Sequence, residues 1–519
     1  MGEQELEKNV KPEELIQAEK KIEEGEFDEA LKLLNIFDKK RGIHHYDKLS
    51  CYHLKGQLLI WQGNYEEAIK ISEEMYKFSQ LYDSKLKSID ALILLSHIHT
   101  YQYEDDKALN IIEQAEKLLK KISQKSSKIY LSREAHLVYC KGLIFAHKGD
   151  LVRALEYLER SLTLREELGN KQEISQSLWS IGRILTYDGK IVRAFDILER
   201  SLTLATKSNS LFYVGAILNT IGTIESFWEG KINRGLANYE KSLAIFKKIN
   251  NNYAISGLLN NISGIYDRKG ELNRALDYLD QSLAFVEVLK IVRPKINILD
   301  TAIQISLEIG DVKRAQEYFQ KLDEINDQED NEEINFIHLY NKASLLKLSS
   351  LKSDQIRARE ILTEIVEKKI PFLFENEVRS LLNLCDILLT EFHDTSNLEL
   401  LDQIQLYINQ ILNIAKNQKL YWLLVESYLI DIKFDLVTLD LKKAQKTLTE
   451  AQEIAEKYSM NQLVKRISIE QKNLFKQKNK WLKLRDSDIK IVELANLIPL
   501  KEQINYMLKK REMFKGFNI

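Results

Sequence analysis

The side chains best suited to chemistry in this 519-residue chain are three cysteines and nine histidines, and their placement argues against a reactive centre. Cys51, Cys140 and Cys385 lie far apart, each inside an apolar helical pattern. An odd number at that spacing suits neither a zinc site nor a disulfide framework, so buried reduced thiols are expected. His97 and His99 fall on different faces of a helix and could not share a metal without distortion. His44 and His45 are the other close pair. No phosphate-cradling glycine loop, HExxH, GxSxG or paired-cysteine motif is present. The sequence therefore predicts no catalytic residue, no metal and no cofactor. What remains is a set of Trp, Tyr, His, Arg and Asn residues that recur at regular intervals. These are side chains that anchor interfaces, and an Asn amide can both donate and accept.

The elements that must position them are written in a repeat. GDLVRALEYLERSL, GKIVRAFDILERSL, GKINRGLANYEKSL and GELNRALDYLDQSL open at Gly149, Gly189, Gly230 and Gly270, a period of about 40 residues. The small residue five positions after each such glycine belongs to a column that can be tracked along the chain: Ala30, Ala68, Ala108, Ala154, Ala194, Gly235, Ala275 and Ala315. Weaker matches continue at Ala358, Ile404 and Ala444. Upstream stretches such as SLWSIGRILTYDGK carry apolar residues at helical spacing. Each unit therefore reads as helix A, a short turn with Gly, then helix B. Such units bury their apolar faces only by stacking on their neighbours.

With a small residue in mid helix A (Gly56, Ser96, Gly142, Gly182, Gly222, Ser263), the turn glycine and the small residue early in helix B, the pattern resembles the tetratricopeptide repeat family. The resemblance runs from Glu13 to Tyr458, is strong between Gly149 and Ala315, and weakens beyond Leu322. The unit is about six residues longer than the usual 34 and lacks the proline after helix B, where a Gly or Asn turn stands instead. Longer repeats of this kind are similar to those of kinesin light chains, LGN-type polarity scaffolds and MalT-type regulators. The resemblance implies an all-α, right-handed superhelical solenoid whose concave face is lined by helices A. Three residues before the small residue it places His53, Tyr139, Trp179, Asn219, Asn260 and Asp300 in the groove. One residue after it come His97, Arg183 and Gln304. One turn further lie Trp61, Tyr101, Tyr187 and Arg268, with Phe227 or Trp228 in the fourth regular unit. In similar repeats Asn at the Asn219 and Asn260 positions holds the backbone of an extended peptide. The competing arrangement, in which the aromatics pack between adjacent repeats as core, stays open. The Lys and Asn columns of the family's carboxylate clamp are not all present.

The totals agree with an interaction array. A formal net charge of -2 with 29% charged residues of both signs disfavours a dedicated nucleic-acid binder. Only four prolines occur, which suits a chain that is nearly all helix. No apolar run reaches the roughly 20 residues of a membrane span. The polar start MGEQELEKNVKPEEL lacks a signal-peptide core, so a cytoplasmic location is expected. The expected organisation is a tail at 1–12, a regular array at 13–326, degenerate repeats at 327–458, and capping helices with a basic amphipathic tail at 459–519. That last segment, with its helix around Leu474 and Trp481 and the apolar, basic stretch from Ile489 onward, could cap the array, occupy a groove of its own or another copy in self-association, or lie on a membrane surface. The expected function is a non-enzymatic scaffold or adaptor that binds a protein or peptide partner; the alternative is a ligand- or peptide-sensing regulatory module.

Overall fold

The computed structural model describes residues 11–472 except 103, 124, 229, 290–291, 330, 369–373, 396, 418–419, 439, 459, 462 and 469. The C-terminal segment around Leu474, Trp481 and Ile489–Ile519 lies outside the described residues. Among the described residues every regular element is helical. In chain order they are α1 (Glu13–Glu24), α2 (Phe27–Asp38), α3 (His45–Trp61), α4 (Tyr65–Leu81), α5 (Lys85–Tyr101), α6 (Asp105–Leu119), α7 (Lys128–His147), α8 (Leu151–Leu168), α9 (Lys171–Tyr187), α10 (Ile191–Lys207) and α11 (Leu211–Thr223). A π-helical turn (Ile224–Trp228) follows. Then come α12 (Ile232–Lys248), α13 (Asn252–Lys269), α14 (Leu272–Leu289), α15 (Val292–Ile309), α16 (Val312–Gln328), α17 (Glu332–Leu346), α18 (Lys352–Lys368), α19 (Phe374–Thr395), α20 (Glu399–Asn417), α21 (Tyr421–Val437) and α22 (Leu441–Lys457). Odd-numbered helices are the A helices of the repeat and even-numbered ones the B helices. The fold is an all-α solenoid of tetratricopeptide-like hairpins. Its residues group into two compact units. The first holds residues up to 224, 235–258 and 285–291; the second holds 225–234, 259–284 and those from 292 onward.

The repeated sentence acts through three contacts. At the A–B turn, Gly149, Gly189, Gly230 and Gly270 take φ of 82°, 73°, 67° and 74°, a left-handed conformation that costs glycine little and ends helix A. In mid helix A, a Cβ on Gly142 or Gly182 would fall 2.6 or 2.7 Å from Leu158 or Leu198 of the following helix B, so the bare backbone seats that leucine. In helix B, the serine of ERSL and EKSL is wholly buried and donates to a carbonyl of the preceding helix A: Ser161 to Ala135 at 2.8 Å, Ser201 to Ser175 at 2.7 Å, Ser242 to Gly215 at 2.7 Å. A hydroxyl in an otherwise apolar interface is acceptable only because it is paired.

The small-residue column is buried along its length, Ala30 through Ala444, with Ala194 at 0% exposure. Ala194→Arg would force a long cation into that contact. We expect a loss on the order of 3 kcal/mol from overpacking and an unpaired buried charge, spread over adjacent repeats. An unchanged urea midpoint for that variant would show that the column does not hold the stack.

The fourth regular unit is one residue longer than its neighbours, 41 between Gly189 and Gly230 against 40 elsewhere. The π-helical turn at Ile224–Trp228 takes up the extra residue by widening one helical turn, as π-bulges do.

Candidate partner-binding face

In the first unit the A helices are tied to one another by side chains about 41 positions apart. The hydroxyls of Tyr139 and Ser180 share a hydrogen bond of 2.8 Å, and Trp179 Nε1 donates to Thr220 Oγ1 at 3.0 Å. His97 meets the Tyr139 ring edge-on, with centroids 5.8 Å apart. Tyr139 is 1% exposed and Trp179 8%, so both are largely consumed as packing between successive repeats. The Arg183 guanidinium lies 5.0 Å over the Trp179 ring and, like His53, Trp61, Tyr101 and Asn219, keeps part of its surface. Tyr187, at the end of α9, is 70% exposed. Trp61, at the end of α3, stacks between Phe27 at 5.8 Å and Phe212 at 6.3 Å.

Electrostatics distinguish this face from ordinary surface. Arg133 grips Asp90 through two bonds, Nε to Oδ1 at 3.0 Å and Nη2 to Oδ2 at 2.9 Å, and Lys87 Nζ stands 3.8 Å from the same carboxylate. Burial would raise the Asp90 pKa, but Arg133 and Lys87 outweigh it and hold it below the usual value. Burial pushes His53 down to about 4 and His97 down to about 3; His136 and Arg165 add to the shift of His97. These imidazoles are neutral near pH 7. His53 Nδ1 and His97 Nε2 are buried atoms without a hydrogen-bond partner.

Arg165 went unnoticed in the sequence and is central to the structure. It is fully buried in helix B, where the equivalent repeat positions are Ala205, Phe246 and Val286. Its Nη1 donates to the Glu173 carbonyl at 3.0 Å and to Ser177 Oγ at 2.8 Å, and its guanidinium lies 4.5 Å from the Tyr139 ring centroid. Glu173 Oε2 stands 3.7 Å from its Nε. A cation in an otherwise apolar column was the available signal.

In the second unit Asn260 and Arg268 lie on α13. Asn260 Oδ1 is buried without a hydrogen-bond partner. Arg268 is engaged by its own unit: Nη1 donates to the Ser226 carbonyl at 2.8 Å, and the guanidinium lies 5.5 Å over Phe227. Beyond them a polar ladder links successive A helices. Asn341 donates to Asp300 at 2.6 Å, Gln304 donates to Asn341 at 2.8 Å, and Lys347 donates to Asn383 at 2.6 Å. Lys347 and Lys433 both hold Asp386, at 3.1 and 3.0 Å.

Burial raises the thiols of Cys51 and Cys140 to about 12, leaving them protonated and inert near neutrality. Among the described residues no group of three or more His, Cys, Asp or Glu is placed to hold a metal. No described helix is long and apolar enough to cross a membrane.

Comparison with known proteins locates the family. Residues 133–207 match the tetratricopeptide repeat family model. No curated protein matches the chain. Among solved structures, the chain is similar to aspartyl phosphate phosphatase F from Bacillus subtilis at 13% identity, covering 72% of this chain and 95% of that one, with a TM-score of 0.46. It is similar to NprR in complex with its cognate peptide NprX at 16% identity, covering 70% and 99%, with a TM-score of 0.45. It is also similar to yeast Tom70 at 13% identity, covering 86% and 98%, with a TM-score of 0.37. The family model falls on the most regular hairpins, so residues 133–207 are tetratricopeptide repeats, and the same glycine, small-residue and serine contacts recur on either side of them.

Proposed function

We propose that the protein is a non-enzymatic interaction scaffold that takes a peptide or partner helix on the face formed by its A helices. The single observation that carries this reading is that each unit leaves buried polar atoms unpaired on its own A helices. His53 Nδ1 and His97 Nε2 in the first unit and Asn260 Oδ1 in the second are buried and unpaired, and each stands at a register position assigned to the groove. A buried polar atom without a partner costs about 1–3 kcal/mol, and folded proteins leave few of them. The backbone of a bound chain presents N–H and C=O groups at regular intervals and would supply the missing partners. Asn219, Trp179 and Arg183 in the first unit, and Asn260 in the second, are the residues we assign to contact. Tyr139 acts behind them by fixing the spacing of α7 and α9, and Arg268 by holding the 225–234 segment. His53, Trp61 and Tyr187 complete the candidate set.

Peptides selected from a random displayed library on the intact protein provide the test. The variant carrying both Asn219→Ala and Asn260→Ala should bind them more weakly by about 1–3 kcal/mol. Affinities equal to those of the unaltered protein would leave this face as mere surface.

A further inference from the structure

In an array of hairpins each repeat touches its neighbours and nothing farther along the chain. The first unit departs from that rule. Lys248 Nζ donates to the Glu24 carbonyl at 2.9 Å, and Asn250 Nδ2 donates to Asp28 Oδ2 at 2.6 Å, across separations of 224 and 222 residues. Asn251 Nδ2 donates to the Trp61 carbonyl across 190. Tyr253 meets the Tyr65 ring edge-on at 5.9 Å. Two turn glycines make the approach possible. Gly25 and Gly63 have φ of 77° and 73°, and a Cβ on either would fall 2.2 Å from Leu211 or 2.9 Å from Tyr253. Glycine stands where two backbones or a backbone and a bulky side chain must come close.

Behind this seam Tyr101 of α5 stacks on Tyr65, the residue that meets Tyr253, with ring centroids 5.7 Å apart. His53, His97 and Tyr101 keep part of their surface accessible, yet burial shifts all three strongly toward their neutral forms. The second unit repeats the device within itself. A Cβ on Gly230 would fall 2.3 Å from Tyr458, and Phe227 lies 6.4 Å from Trp422, at nearly the same distance along the chain.

We propose that the seam joining the turns after α1 and α3 to residues 248–253 is a latch. When closed it seals the A-helix face of the first unit; a partner reaches that face only when the seam opens. The proposal rests on the reading of that face as the partner site, but the seam can be tested without any partner. Its outer rim consists of hydrogen bonds among exposed residues, Glu24, Asp28, Lys248 and Asn250, while behind the rim Trp61 stacks on Phe212 and Tyr253 packs against the apolar core of α3–α5.

Two variants of the full chain test it. Asp28→Cys with Asn250→Cys places two exposed thiols at the seam, and the native thiols are buried. A short bismaleimide should join them in the folded protein. Asn251→Asp keeps the acceptor that Ala254 N–H uses to cap α13 at 2.7 Å, but removes the donor to Trp61. The readout is carbethoxylation of His97 by diethyl pyrocarbonate, with exposed His44 as internal control. We expect Asn251→Asp to raise the His97 rate by about tenfold, the change a lost 1.4 kcal/mol of closure produces. Cross-linking should lower the rate below that of the unaltered protein, with His44 unchanged. Failure of the thiols to join in folded protein would show that the seam is open in solution. Joined thiols with an unchanged His97 rate would show that the seam is not the entrance. Either result overturns the latch while leaving the peptide-library test of the face untouched. Circular dichroism of Asn251→Asp separates opening from unfolding; a variant that loses its helicity is replaced by Lys248→Ala, which removes only an exposed donor.

Discussion

Asp386→Ala should destabilise the second unit by about 3 kcal/mol, the lower end of what is lost when one partner of a buried charge network is removed. The lower end applies because the Asp386 side chain keeps 31% of its exposure. Lys347 and Lys433 reach this carboxylate from α17 and α21, so it joins three successive A helices. Burial would raise its pKa, but Lys433 and Lys347 overcome burial and hold it well below the usual carboxylate range. The folded pKa is thus below the unfolded one. The stability it contributes is present above about pH 4 and lost as pH falls through the folded value. Removing the carboxylate leaves two ammonium groups facing each other, whereas the apolar combination Lys347→Met, Asp386→Leu, Lys433→Met should recover most of the loss. Urea unfolding of the three proteins at pH 7 checks this. An Asp386→Ala midpoint equal to that of the unaltered chain would show that the triad is a surface cluster of little consequence.

The first unit should be acid-labile for the opposite reason. His53 and His97 are neutral because burial opposes their protonation, holding them at about 4 and 3. His136 is lowered by burial and by Arg165 as well, against the pull of Glu173. Lys87, Arg133 and Arg165 already place positive charge around them, with Asp90 and Glu173 as the counter-charges. In the unfolded chain these imidazoles titrate near 6.5. The unfolded state therefore binds more protons between pH 6.5 and the folded values. Stability is complete above pH 6.5 and declines as pH falls toward 4 and 3. At pH 4.5 the loss is on the order of 2–3 kcal/mol for each of His53 and His97. Urea titrations at pH 7.5 and 4.5 measure it, with the double variant His53→Phe, His97→Phe as control. That variant has no imidazole to protonate at these positions and should lose less stability on acidification. Equal losses in the two proteins would place the lability elsewhere.

What could be read from the amino-acid string was local and periodic. The turn glycines, the small column from Ala30 to Ala444 and the mid-helix glycines predicted hairpins, their lengths and their neighbours. That reading needs only helix formation and contact between adjacent repeats, both encoded within about 40 residues. The same register brought Trp179, Asn219 and Asn260 to the A helices, but could not say how much of each side chain neighbouring repeats would consume. Tyr139 and Trp179 are taken up by Ser180 and Thr220 of the next A helix, and Arg268 by the backbone at Ser226. The extra residue before Gly230 was visible as a count; whether Phe227 or Trp228 took the groove position depended on a π-turn that no spacing rule specifies. Arg165 and the polar ladder from Asp300 to Asp386 are paired across repeats, so a single charged letter in an apolar column marks the place without naming the partner. The seam from Glu24 to Tyr253 was beyond sequence reading altogether. It arises from small rotations added over successive hairpins, and only their sum brings Gly63 against Tyr253.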